Sequence, residues 1–108
     1  APMNLAETYA AVCAKRPELA VEGLRRLVGY WYRGSMCEVE NTAAALILAR
    51  WVEALPQYTW LGHDGDPLNG WKVRGLSDGD NYEIIIVMID AKPTPLEALA
   101  AYYLGETT

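Results

Sequence analysis

The sequence predicts an α+β fold of the α/β/α sandwich type, and three observations carry that prediction. Six consecutive apolar residues, Ile84 to Ile89, are mostly β-branched, the composition of a strand buried on both faces. A helix-start signature follows: Thr94 can cap, Pro95 fits the first helical position, and Glu97 sits three residues after the cap. The order is also informative, with N-terminal helices, a three-stranded, largely antiparallel meander, then a C-terminal helix. At 108 residues the chain makes one domain with a single core, and Ala1-Pro2 ahead of Met3 reads as a cloning remnant.

A first helix is expected from Leu5 to Ala14. A second is expected to start at Pro17, where a missing N–H costs nothing, with Glu18 in its first turn. Its stripe is Ala20, Val21, Leu24, Leu27, Val28 and Trp31, and Arg33-Gly34-Ser35 stops it. The third helix covers Glu38 to Leu55, with Ala45, Leu48, Ala49, Val52 and Leu55 facing inward and Arg50 and Glu53 outward; Pro56 ends it. Strands follow at Tyr58 to Leu61, Gly70 to Leu76 and from Tyr82 onward. Trp71, Val73 and Gly75 share one face of the middle strand, and Lys72 and Arg74 the other. The loops Gly62-His63-Asp64-Gly65-Asp66-Pro67 and Ser77-Asp78-Gly79-Asp80-Asn81 are rich in turn formers. The last helix runs from Pro95 to Leu104 and stops at Gly105.

Net charge is −5, and all of the imbalance lies after residue 56, where eight acids meet only Lys72, Arg74 and Lys92. Phosphate backbones require clustered cations, so direct nucleic-acid binding is disfavoured. Cys13 and Cys37 lack the CxxC spacing and neighbouring His of a metal site and read as two buried thiols, with a disulfide between them as the alternative that Cα separation decides. No apolar run reaches the ~18 residues of a membrane span and no signal-peptide pattern opens the chain, so a cytoplasmic location is expected.

No motif carries recognisable catalytic chemistry. His63 with Asp64 and Asp66 has the residue types of a cation site or a general base, yet lacks the further ligands and distal Glu of a calcium loop. Asp78, Asp80 and Glu83 form a second acidic cluster, also readable as a solvated turn. Neither a catalytic residue nor a metal or cofactor is expected. The better lead is aromatic: four Trp and seven Tyr with no Phe. Adjacent residues on a helix differ by about 100°, so one of Tyr30 and Tyr32, and one of Tyr102 and Tyr103, should be exposed or at a contact. Candidate binding residues are therefore Tyr30, Tyr32, Trp60, Trp71 and Tyr102, with Asp64, Asp66, Asp78 and Asp80 as an acidic complement.

From about Asn41 onward the chain resembles the phage ABA sandwich domain family. The resembling segments are the Ala-rich stretch Asn41 to Leu55, the strand bearing Trp71, and Ala91-Lys-Pro-Thr-Pro-Leu-Glu97 opening the last helix. The likeness spans roughly residues 20–105, while the lead Cys37-Glu-Val-Glu-Asn-Thr42 and the helix at residues 5–14 depart from the pattern. The resemblance implies a phage or prophage origin and an α/β/α sandwich, and it supplies no activity.

The expected function is that of a small non-enzymatic accessory protein that binds another protein. One version inhibits a host defence component, with the acidic half meeting a basic surface. The alternative is a nucleotide-like ligand in an aromatic-lined pocket between sheet and helix, met by Arg25, Arg26, Lys72 and Arg74. A virion or assembly component is a third reading. The Ala-rich helix lacks a clear polar face, so a homodimer through it is expected.

Overall fold

A computed structural model describes residues 4–22, 37–79, 82–87 and 89–105 of the chain. Among these residues lie three α-helices, α1 (Leu5–Lys15), α2 (Cys37–Glu53) and α3 (Pro95–Tyr103), and a 3₁₀ turn at Pro17–Leu19. The strands are β1 (Thr59–His63), β2 (Trp71–Gly79) and β3 (Tyr82–Val87), in the order β1-β2-β3 with both pairings antiparallel. The mixed α+β class is the one expected. No helix among the described residues is long and apolar enough to cross a membrane.

Local chemistry sets the helix ends. Asn4 accepts the Glu7 N–H at 2.9 Å and starts α1; Thr94 accepts the Glu97 N–H at 3.2 Å and starts α3, with Pro95 in its first turn. Gly105, at φ 83°, closes α3 in the left-handed region, and the Lys15 ammonium donates to the Leu104 carbonyl at 2.8 Å. That bond ties the end of α1 to the end of α3.

Helix α3 lies against β2 and β1, while α1 and α2 pack on α3. Buried Ala98, Leu99, Ala100 and Ala101 make α3 the centre of the core, because small side chains on several faces let elements approach from more than one side. Val73 and Ile89 reach it from the sheet side; Val12, Leu19, Ala43, Ile47 and Trp51 reach it from the other helices. Trp51 is the anchor. Its indole N–H donates to the Leu19 carbonyl at 3.1 Å, and its ring stacks on Tyr9 at 6.3 Å and meets the edge of Tyr103 at 6.2 Å. The Tyr103 hydroxyl donates to the Trp51 carbonyl, and burial pushes its pKa up to about 12.

Three sequence expectations need correction. The helix expected from Pro17 is only a 3₁₀ turn, and Ala20 is already extended at ψ 141°. A continuing helix needs the Glu18 and Leu19 carbonyls, but Arg50 takes the first at 2.9 Å and Trp51 the second. The Val21 N–H goes to the Tyr9 hydroxyl at 2.8 Å instead. Residues 23–36, with the rest of that expected helix, lie outside the described residues.

The inward face of α2 is also rotated from expectation: Ala43, Ile47 and Trp51 are buried, whereas Ala45 and Ala49 are exposed and Val52 is 41% exposed. Over the uniformly apolar run Ala43 to Ala49, periodicity does not choose a face. The largest apolar area does, and that belongs to Trp51 and Ile47. The strand bounds moved as well: β1 runs to His63 and β2 to Gly79, so both expected loops give residues to the sheet. Strand β3 ends at Val87, and Ile89 is buried in a bend.

Candidate functional site

Register separates the faces of the sheet. Leu61 opposes buried Val73 and Thr59 opposes buried Gly75, on the side covered by α3. Trp60 opposes Arg74 and Gly62 opposes Lys72, so by alternation these four share the other face. A Cβ on Gly62 would lie 3.7 Å from the Trp60 Nε1 and 3.9 Å from the Arg74 Cδ, so both side chains lie over this glycine. Arg74 Nε is sealed from solvent and has no hydrogen-bond partner among the described residues, a costly state for a buried donor.

Tyr58 precedes β1 and is 61% exposed, with φ at 62°. For a bulky side chain this is a true outlier. The backbone still serves the sheet, since the Tyr58 carbonyl accepts from Leu76 N–H at 3.0 Å. The left-handed region costs an L-residue roughly 1–2 kcal/mol, against about 0.5–1 kcal/mol of entropy for glycine. Tyr58→Gly is therefore expected to raise stability by about 0.5 kcal/mol or more in urea denaturation. A loss instead would show that the ring packs in solution.

The other candidates serve structure. Trp71 packs against the core, with its ring 4.9 Å from His63 edge to face, and pairs through its backbone with Lys92. Tyr102 is half-buried and packs against the core, with its ring 5.3 Å from the Tyr103 ring, and Tyr103 is buried. Neither tyrosine of that pair is fully exposed, because α3 is covered on more than one side. Tyr30, Tyr32 and Asp80 lie outside the described residues, as do the side chains of Asp78 and Cys37. Cys13 is a free thiol, and burial pushes its pKa up, away from reactive thiolate.

The His63–Gly70 loop is organised by its own polar groups. Asp64 Oδ1 accepts from Asp66 N–H at 2.9 Å, and Asp66 Oδ1 accepts from Leu68 and Asn69 N–H at 2.9 and 3.3 Å. His63 Nδ1 accepts from Gly65 N–H at 3.0 Å. These are side-chain-built turns, the structural reading of the same residues. Among the described residues no group of three or more His, Cys, Asp and Glu is placed to hold a metal ion.

Lys72 meets Asp64 at 2.7 Å, and this hydrogen bond, helped by the Asp66 N–H, holds the Asp64 carboxyl below its ordinary range. A depressed folded pKa contributes stability that is present above the ordinary carboxylate value and is lost as pH falls through the depressed one. Lys72→Met is expected to move the Asp64 midpoint upward, though not fully to the ordinary value, because the Asp66 N–H remains. Carboxyl-carbon NMR titration measures it, and an unmoved midpoint would refute the pairing.

A concave feature lies among the helices. Leu5 and Thr8 of α1, Ala44, Ala45 and Leu48 of α2, and Thr94 to Glu97 at the start of α3 line a cleft of about 400 Å³. No aromatic ring and no cation lines it. Sequence reasoning missed both Tyr58 and this cleft. Tyrosine is not a turn former, so nothing in Leu55-Pro56-Gln57-Tyr58 announces positive φ. The cleft joins segments some 50 and 90 residues apart, and only the adjacent alanines 44 and 45 hinted at space. Comparison of the chain with protein-family models, curated proteins and solved structures gives no match.

Proposed function

We propose that this is a non-catalytic protein-binding module, with its contact surface at β1 and the face of the sheet that carries Trp60 and Arg74. The observation that carries the reading is Arg74 Nε, sealed from water beside Trp60 and without an acceptor. The atom is closed to water as it stands, so a partner carboxylate or carbonyl would satisfy it only after Trp60 or the guanidinium swings aside on contact. Tyr58 adds an exposed aromatic held at conformational cost. Tyr, Trp and Arg are the residue types that dominate interface energetics, and all three occur here within two neighbouring strands and their lead-in. The acids contribute less than expected. Asp64 is ion-paired and Asp66 is engaged in the loop, so reversing their charge would disturb the loop first.

The resemblance to phage ABA sandwich proteins adds a phage or prophage accessory role in the host cytoplasm, with inhibition of a host defence component as one version. It also implies α/β/α layering, which would cover the Trp60 and Arg74 face; the binding reading requires that face to be open, so the layering is not part of it. The net charge of −5 suits a partner with a basic surface around the contact. A nucleotide-like ligand is less favoured, since the cleft among the helices offers neither cations nor stacking faces.

The test compares wild-type, Trp60→Ala and Arg74→Met baits in host lysate, with thermal denaturation of each. Removing an unsatisfied donor costs little, so Arg74→Met should keep its melting temperature while losing a stoichiometric partner that the wild type captures. A partner retained by both variants, or a large loss of stability in Arg74→Met, rejects this surface.

A homodimer through α2 is the second reading, favoured by exposure of Leu46 at 44% and Val52 at 41% on the α2 surface. Light scattering across a dilution series should then show dimers that Leu46→Lys disperses; a monomer at every concentration rejects it.

A further inference from the structure

The cleft at the starts of α1 and α3 holds about 400 Å³, within the ~300–1,000 Å³ over which proteins enclose small ligands. Leu5, Leu48, Pro95 and Leu96 form its apolar walls, and the room is left by Ala44 and Ala45 of α2. Leucine or phenylalanine at these positions would fill it. An apolar hollow of this size selects a hydrocarbon body.

The polar rim decides the head group. Helix starts attract anions through unpaired N–H groups, and here the caps occupy part of that set while Pro95 carries no N–H. Asn4 takes the Glu7 and Thr8 N–H groups through its side chain and carbonyl, and Thr94 takes those of Glu97 and Ala98 in the same way. The charged residue in the lining is Glu97, half-buried and without an ion pair to any described cation. A glutamate lining an apolar hollow favours a cationic head group and repels an anion.

We propose that this cleft binds a small primary amine with an apolar body, its ammonium group at Glu97 and its hydrocarbon between Leu5, Leu48 and Leu96. The cleft takes no residue from β1 or β2, so this site stands or falls independently of the sheet surface.

The probes are n-hexylamine, hexan-1-ol and hexanoate, titrated into the full chain at fixed salt and pH. Binding is followed by the methyl NMR shifts of Thr8, Leu48 and Leu96 and by thermal denaturation. Hexylamine should saturate, move those methyls, raise the melting temperature, and bind about tenfold more tightly than hexanoate. Glu97→Gln, whose backbone N–H still serves the Thr94 cap, should erase the preference for amine over carboxylate, and Glu97→Lys should reverse it. Ala45→Phe, a substitution at an exposed position on the rim, should abolish binding of all three probes without lowering the melting temperature. The proposal is overturned by the absence of saturable shifts at those methyls, by hexanoate binding as tightly as hexylamine, or by binding that survives a folded Ala45→Phe.

Discussion

Trp51→Ala is expected to lower stability by about 4 kcal/mol, the range for deleting a large aromatic side chain from a close-packed core. Trp51 is fully buried and makes three separable contributions. Its ring fills the space between Tyr9 and Tyr103, so truncation opens a cavity that two rigid rings cannot collapse into. Its N–H satisfies the Leu19 carbonyl, which would be left buried without a donor at a cost of roughly 1–3 kcal/mol. Its position also holds the 3₁₀ turn against α2, where Arg50 makes the neighbouring bond to Glu18. Trp51→Phe separates these effects, because it keeps most of the volume and loses the N–H, and about 2 kcal/mol of destabilisation is expected from it. Urea denaturation followed by circular dichroism measures both. A cost below about 1.5 kcal/mol for the alanine variant would show that this packing is not fixed in solution.

How much of this was legible beforehand depends on how local the cause was. The Thr94-Pro95-Glu97 start and the Gly105 stop of α3 are local chemistry, and the sequence displays them directly. The alternation along Trp71 to Leu76 is local too, and the buried positions fall at Val73 and Gly75 as that pattern implies. The fate of Pro17 was not local. Its helix is cut short by two α2 side chains more than 30 residues away, a competition for carbonyls that no propensity records. The α2 face failed for a related reason: a helix with no polar stripe leaves the choice to tertiary packing, and Trp51 decided it. At the candidate surface, aromatic content pointed to Trp60, and the structure places Trp60 apart from the core cluster that absorbs Trp71 and Tyr102. Arg74 was readable only as a base on a strand. Its missing acceptor and the backbone of Tyr58 are properties of assembled geometry.

Gly70→Ala is expected to cost about 2 kcal/mol, although it adds a single methyl group in a loop outside the core. A Cβ at residue 70 would sit 2.5 Å from His63 Nε2, 2.7 Å from His63 Cε1 and 2.6 Å from the Asp66 carbonyl oxygen, closer than real Cβ contacts allow. Neither neighbour yields easily. The imidazole is held by the Gly65 N–H on its Nδ1 and by the edge contact with Trp71. The Asp66 backbone is held by the Leu68 and Asn69 N–H groups on its own side chain. Relief therefore means opening the loop, and the Asp64 N–H to Gly70 carbonyl bond that closes the β1–β2 hairpin goes with it. Equilibrium denaturation gives the cost, and hydrogen exchange at Asp64 shows whether the hairpin end has opened. A double-mutant cycle with His63→Ala then apportions the clash. If the ring is the main obstacle, Gly70→Ala should cost about half as much without it. If the cost is unchanged, the Asp66 carbonyl is the obstacle and the carboxylate-built turn sets the geometry. A cost below about 0.5 kcal/mol in both backgrounds would mean that the loop adapts freely, and that the hydrogen bonds of Asp64 and Asp66 do not hold it in one conformation.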